Sequence, residues 1–350
     1  METGDVMARS GRATLATVAA SAGVSIATVS KVLNDRQDVS PATRARVQRM
    51  LRHHDYVPTS TRPFPLAAGR PVELIFVRGL GAYDLELIQG VMAAGAEAGV
   101  DVVVSAHPHP APGRKPERLG EWAASLLAGR QGVIAVTSAL EPAHLSALDR
   151  VRLPLVVIDP IHLPHSAVTS VGSTNFAGGL AAAQHLLALG HRRIAYVGGP
   201  VAASCNQARM HGYLAGMTAA QAAVPANYIR AGEFSYDDGV LSAALLLDLP
   251  DPPTAVFAGS DATALGVMEA ARVRGLQIPG DLSIVGYDDT LLAQMASPAL
   301  TTVRQPLQDI GRVALRTLLR LAGDEQLDSH HVELATELVI RGSTARPRSH

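Results

Sequence analysis

Cysteine occurs once in 350 residues, at Cys205, so an internal disulfide is excluded and the thiol content fits a reducing cytoplasm. No run of eighteen apolar residues occurs, which leaves no candidate transmembrane helix and no membrane partner. Charged residues make up 17% against 47% apolar ones, ordinary for a soluble α/β protein and too mixed for a membrane protein. Lysine is almost absent: Lys31 and Lys115 stand against 28 arginines, which makes Lys31 worth following. Catalytic and metal patterns are missing too. His53-His54, His107-Pro108-His109 and His330-His331 lack the partner ligands of a zinc site. Gly79-Leu80-Gly81 has no third glycine of a dinucleotide fingerprint, and no Gly-x-Ser-x-Gly elbow occurs. The chain is therefore expected to be no enzyme and to need no cofactor or metal.

What is present is concentrated near the start. Val18, Ala19 and Ala22 lie at i, i+1 and i+4, giving a first helix one apolar stripe. Gly23 follows where a helix ends in a left-handed residue, and Ser25 supplies an N-cap for a second helix. That helix turns Ile26, Val29, Val32 and Leu33 inward and exposes Ala27, Thr28, Ser30, Lys31 and Asn34. Short donors and one cation on such a face suit the major groove of DNA. The alternative of a secretory signal ending at Ala20-Ser21-Ala22 fails, because its apolar run is short and broken by Thr and Ser. Ser40 caps a third helix that opens on Pro41 and carries the stripe Val47, Met50 and Leu51.

Charge agrees with a nucleic-acid partner at this end. Residues 1–62 hold nine Lys/Arg against five Asp/Glu, a net of +4, in a chain that is −1 overall. A basic head on an acidic body confines the electrostatic footprint to one end.

The pattern Thr14-Leu15, Val18-Ala19, Ala22-Gly23-Val24-Ser25, Thr28-Val29-Ser30-Lys31-Val32-Leu33-Asn34, then Val39-Ser40-Pro41 and Asp55-Tyr56-Val57-Pro58, resembles the headpiece of the lac repressor (LacI/GalR) family of bacterial regulators. The resemblance implies a double-stranded, near-palindromic operator gripped by a homodimer. It implies backbone contacts from Thr14, Ser25, Thr28, Ser30 and Asn34, and base contacts from Ile26, Ala27 and Lys31. Residues 1–58 are thus the head, with 1–12 expected to be disordered, and 59–71 a linker. The resemblance implies a hinge helix in that linker with Leu66 as a minor-groove wedge. Pro63 and Pro65 remove backbone donors and argue instead for an extended spacer.

From residue 72 short apolar runs alternate with helical patterns. Strands are expected over 72–77, 100–104, 132–136, 155–159, 193–197, 227–230, 255–258 and 282–286. Helices are expected near 84–98, 116–128, 141–149, 175–189, 206–221, 236–247 and 261–274. Continuous apolar strands between helices argue doubly wound parallel sheets, with units enough for two. The fold class is therefore α/β, an all-α helix-turn-helix head followed by two parallel-sheet lobes.

Leu189-Gly190-His191-Arg192-Arg193-Ile194-Ala195, Ser283-Ile284-Val285-Gly286-Tyr287-Asp288-Asp289 and Pro298-Ala299-Leu300-Thr301-Thr302-Val303-Arg304-Gln305 resemble the same family's effector domain, which has the periplasmic sugar-binding fold. The lobes implied are 72–172 plus 305–330 and 173–304 plus 331–343, with crossings near 160–174, 302–305 and 331. Effector positions implied are Asp159, Arg209, Phe234, Ser260, Asp288 and Gln305, with Tyr83 and Glu86 from the first lobe facing the same cleft. Asp and Arg chelate vicinal hydroxyls and an aromatic face stacks on a sugar ring, so a small-molecule effector, a sugar, is expected. Asp261 reads as a helix cap. A nucleobase co-repressor and a sugar-binding protein without a DNA role are the alternatives.

Overall fold

A computed structural model describes residues 15–33, 40–53, 70–76, 80–106, 129–136, 148, 150–160 and 168–348. The chain divides into two units, 1–65 and 66–350.

The first unit holds α1 (Leu15–Ala22), α2 (Ile26–Leu33) and α3 (Pro41–His53). Alpha-helical stripes meet in one small core of Val18, Ala19 and Ala22 from α1, Val29 and Val32 from α2, and Val47 from α3. Burying a valine this way contributes about 1.5–3 kcal/mol, so six small side chains make a thin but sufficient seam. The turn is closed by backbone alone. Gly23 sits at φ +61°, its N–H donates to Ala20 O at 3.2 Å, and Val24 N–H donates to Ala19 O at 3.1 Å. Those two bonds satisfy the end of α1, and Val24 folds onto the core. Ser25 and Ser40 cap the next two helices, their Oγ atoms accepting from Thr28 N–H (3.1 Å) and Thr43 N–H (3.3 Å).

The second unit has two six-stranded sheets. Its strands are β1 (Val72–Phe76), β2 (Val102–Ala106), β3 (Gly132–Val136), β4 (Leu155–Ile158), β5 (Thr169–Ser173), β6 (Ile194–Val197), β7 (Ile229–Arg230), β8 (Ala255–Ala258), β9 (Ser283–Asp288), β10 (Thr301–Arg304), β11 (His331–Leu334) and β12 (Glu337–Val339). The orders are β11-β5-β4-β3-β1-β2 and β12-β10-β9-β8-β6-β7, the same winding twice. All pairings are parallel except β12 with β10. Every residue of β1, β3, β6, β8 and β9 is buried, as parallel strands covered on both faces require.

Between them lie α4 (Ala82–Ala98), α5 (Asn175–Ala188), α6 (Ser204–Ala219), α7 (Tyr236–Leu247), α8 (Asp261–Val273), α9 (Leu291–Met295) and α10 (Leu307–Ala322). Helix α10 packs on α4 and supplies Leu307, Ile310, Ala314, Leu315 and Leu318 to the first lobe's core. Helices α5 and α6 touch backbone to backbone. A Cβ on Gly179 would stand 2.1 Å from Arg209 O, and one on Gly212 2.1 Å from Phe176 O. This close approach fixes where α6 delivers its side chains.

The chain passes between lobes at Thr174, at Gln305–Pro306 and at Ala335–Thr336. The third crossing is a correction to the boundary expected near 331. His331–Leu334 pairs in parallel with Ser170–Ser173, so the first lobe keeps this segment as its edge strand. Similarly, 160–174 was read only as a crossing, yet it contains β5, whose Thr-Ser-Val-Gly-Ser sequence lacks a continuous apolar run. The strand expected over 227–230 shortens to two residues after a 3-10 turn, Ala226–Tyr228. Residues 1–12 and the expected helices near 116–128 and 141–149 lie outside the described residues, apart from Leu148.

Candidate ligand cleft and DNA-reading helix

Strand order reverses between β1 and β3 in one sheet and between β6 and β8 in the other. Crevices for ligands open outside the carboxyl ends of strands at such reversals. Here Phe76, Val136 and Asp159 from the first lobe and Ser260 and Asp288 from the second, all at strand ends, line one shared cavity of about 360 Å³.

Six of the eight residues assigned to a ligand line it: Tyr83, Asp159, Arg209, Phe234, Ser260 and Asp288. Tyr83 Oη donates to Asp159 Oδ2 at 2.7 Å. Burial, and then the neighbouring carboxylate, holds the Tyr83 phenol well above its usual range. Burial likewise raises Asp159 and Asp288, with Arg209 opposing it in both. The guanidinium of Arg209 is held along one edge by protein acceptors. Its Nε donates to Asn175 Oδ1 (2.8 Å), Nη1 donates to Gly259 O (2.7 Å), and Nη1 stands 4.0 Å from Asp288 Oδ1. It lies over the Tyr287 ring at 3.8 Å and the Phe234 ring at 5.3 Å. Phe234 fits because Gly199 has no side chain; a Cβ there would meet the ring at 2.2 Å.

The backbone is set for this site as well. Asp159 (φ 44°), Phe234 (φ 58°) and Asp288 (φ 115°) occupy left-handed conformations, each costing roughly 1–3 kcal/mol for a residue with a side chain. Three strained residues around one cavity mark it as a place where geometry has been favoured over local stability.

Two assigned residues stand behind the lining. Gln305 is buried, donating through Nε2 to Asp288 Oδ1 at 2.7 Å and accepting from Ser173 Oγ at 2.6 Å. Glu86 accepts from Gln308 Nε2 at 2.8 Å, tying α4 to α10. Ser260 lines the cavity but also caps α8, its Oγ accepting from Thr263 N–H at 3.1 Å and donating to Phe234 O at 3.1 Å. The cap is therefore Ser260 and not Asp261, because Asp261 already has helical position and turns its carboxylate to Thr290 N–H (2.7 Å), Thr290 Oγ1 (3.0 Å) and Thr302 Oγ1 (2.6 Å). Burial pushes that carboxyl up to about 6.

Three residues escaped the sequence reading. Asn175 and Tyr287 hold Arg209 from beside and below, and Cys205 lines the cavity, its thiol pushed up to about 11 by burial. Asn175 carries no local signal, since its role comes from two helices meeting. Tyr287 belongs to the Ser283–Asp289 motif but falls just past the strand expected over 282–286, and nothing local assigns it a role.

On the head, Lys31 is exposed near the end of α2. Ser25 and Thr28 hydroxyls pair at 2.9 Å at the start of that helix. Thr14 and Asn34, the side chains of Ile26, Ala27 and Ser30, and Leu66 with the linker over 59–69, lie outside the described residues.

A helix-turn-helix unit joined to a two-lobed body with an interlobe cavity that holds Arg209, Asp159, Asp288 and Phe234 defines the class of ligand-responsive DNA-binding regulators. A sequence profile described as bacterial regulatory proteins, lacI family, matches residues 14–59, and one described as a periplasmic binding protein-like domain matches 183–344. The HTH-type transcriptional regulator CelR of Thermobifida fusca is 34% identical over 346 residues, covering 96% of this chain and 100% of CelR. The chain belongs to the lacI family. A solved CelR–cellobiose complex superposes with a TM-score of 0.71 at 32% identity, covering 95% of this chain and all of that one. The lac repressor dimer bound to operator and an anti-inducer gives 0.70 at 26% identity, covering 96% and 100%. The protein is thus a DNA-binding transcriptional regulator and not an enzyme. No helix among the described residues is long and apolar enough to cross a membrane.

Proposed function

We propose that the protein is a cytoplasmic repressor of a sugar-utilisation operon, released when a sugar occupies the cavity between its lobes. The observation that carries this reading is the spacing of Arg209 and Asp288, 4.0 Å apart beside the Phe234 ring. A donor and an acceptor so placed serve neighbouring hydroxyls of one ring, and the aromatic face serves its C–H side. Cellobiose in the CelR complex is a ligand of the same chemistry. The protein acts as a homodimer on a near-palindromic operator, since a two-fold pair of heads matches a two-fold site, as in the dimeric lac repressor on its operator. To phosphate contacts we assign Thr14, Ser25, Thr28, Ser30 and Asn34, and to base-edge contacts Ile26, Ala27 and Lys31.

Binding of an effector to one of two states changes operator affinity by its differential affinity for them. The test is thermal-shift screening of the purified full-length chain against sugars and nucleobases, followed by operator titration with each hit. A sugar that raises the melting temperature and weakens operator binding is the expected result. A nucleobase that stabilises the protein and tightens operator binding would replace this reading with co-repression.

A further inference from the structure

We propose that the outer side of α3 is a second DNA-contacting surface of the head, on which Arg46 and Arg49 hold duplex phosphates without reading sequence. The inference deepens the DNA-binding reading and rests on it, while the effector plays no part. Helix α3 turns Val47, fully buried, and Met50 to the head's core. Ala45, Arg46, Gln48 and Arg49 are exposed on its remaining sides. Arg46 and Arg49 are three positions apart and so are neighbours on the helix surface. The 13 residues of α3 include Arg44, Arg46, Arg49 and Arg52 and neither Asp nor Glu.

Like charges at this spacing weaken a helix and do nothing to hold it. The body avoids the arrangement. Each arginine of α8 and α10 pairs with a carboxylate: Arg272 with Glu269 (2.6 Å), Arg312 with Asp309 (2.7 Å), Arg316 with Glu97 (2.9 Å) and Arg320 with Glu325 (2.9 Å). Among the described residues, neither Arg46 nor Arg49 has an ion pair or a hydrogen bond. A repulsive pair kept on an exposed helix calls for an anion from outside. Duplex DNA supplies it, because guanidinium forks match phosphate oxygens in charge and geometry. An acidic protein would suit two arginines as well. The duplex is favoured because the whole head is basic, +4 over residues 1–62, and its helix-turn-helix already meets DNA. Phosphate contacts carry no base information, so sequence reading stays with α2.

Fluorescence anisotropy tests this with the full-length protein and a labelled mixed-sequence DNA duplex of about 30 base pairs, titrated at salt concentrations from about 50 to 200 mM. Neutralising a phosphate contact lowers the number of counterions released on binding. Arg46→Gln and Arg49→Gln are therefore each expected to flatten the slope of log affinity against log salt by about 1, and the double variant by about 2. Arg312→Gln on the body is expected to leave the slope unchanged. The melting temperature of the double variant should equal or exceed the parent's, because a like-charge pair is removed. A role confined to holding the head together predicts the opposite. An unchanged slope in the double variant overturns the proposal and turns attention to an acidic protein partner. A slope that falls only together with the melting temperature overturns it as well, since loss of the folded head then accounts for the change. A parent protein that binds no duplex at any salt concentration counts against the DNA-binding reading itself.

Discussion

Gln305 donates to Asp288 Oδ1 at 2.7 Å while accepting from Ser173 Oγ at 2.6 Å, so one side chain spans two of the three crossings and the cleft. Ser173 ends β5 in the first lobe, Gln305 follows β10 in the second, and Asp288 lines the cavity. A ligand on Asp288 is thus one hydrogen bond from the strands that join the lobes. Gln305→Leu removes that amide and leaves a buried carboxylate oxygen short of a donor, at a cost of about 1–3 kcal/mol. We expect effector affinity to fall about tenfold or more. Calorimetric titration with the sugar identified by screening decides it, and unchanged affinity would show that Gln305 is only packing.

Arg209 and Asp288 separate stability from binding. Arg209→Met strips the counter-charge from two buried carboxyls, a loss of about 3–5 kcal/mol for breaking a buried pair. In a body of this size that lowers the melting temperature by at least about 6 °C. Asp288→Asn keeps the shape and leaves Asp159 as counter-charge to Arg209, so its melting temperature should fall less than that of Arg209→Met while effector affinity drops at least about tenfold. Differential scanning calorimetry beside isothermal titration measures both. Equal melting temperatures for the two variants would contradict the buried-pair account.

Lys31 is the long cation on the outward side of α2, where the neighbouring side chains are short. Lys31→Ala is expected to weaken operator binding by about 1–3 kcal/mol and to relax preference at one base pair in each half-site. Binding isotherms on single-base operator variants check this. Weaker binding with base preference intact would assign Lys31 to a phosphate.

Asp261 gives the body a signature in pH. Burial pushes its carboxyl up to about 6, above the value of about 3.9 it has in an unfolded chain. The folded state therefore holds this proton more tightly. Its contribution is complete below about pH 4 and is lost as pH rises towards 6, after which it is level. Asp261→Asn does not titrate, so the stability difference between parent and variant should change between pH 4 and 6 by roughly 2–3 kcal/mol and be constant above. Denaturant midpoints across that range measure it, and a difference flat from pH 4 to 8 would refute the assignment.

The sequence was most legible where local rules decide. Gly23, Ser25 and Ser40 place the head's turn and caps because each acts within three or four residues of itself. Val133 to Val136 and Ala255 to Ala258 read as buried strands because parallel strands are apolar throughout. Residues paired across long separations were hidden. Thr169 to Ser173 forms a strand between β4 and His331 to Leu334, and the second of these partners is some 160 positions away. The cleft shows the same split. Arg209 and Asp288 were reached through motif resemblance, whereas Asn175 and Tyr287, which hold the guanidinium, depend on where α5 and β9 meet α6.

The three crossings have a consequence for how the chain is made. Synthesis delivers β1 to β5 before any of the second lobe, yet the first lobe's core is not finished then. Five of its sixteen buried residues arrive on α10, and its edge strand is β11, both after five of the other sheet's six strands, β6 to β10, have been translated. On the ribosome the lobe that starts first stays open until α10 and β11 emerge, by which time all but the last strand of the second lobe has been made. A nascent chain halted at residue 304 would expose the apolar faces of Leu87, Val91 and Ile134 that α10 covers. Such pauses are the moments when this protein most needs a chaperone or a quick ribosome.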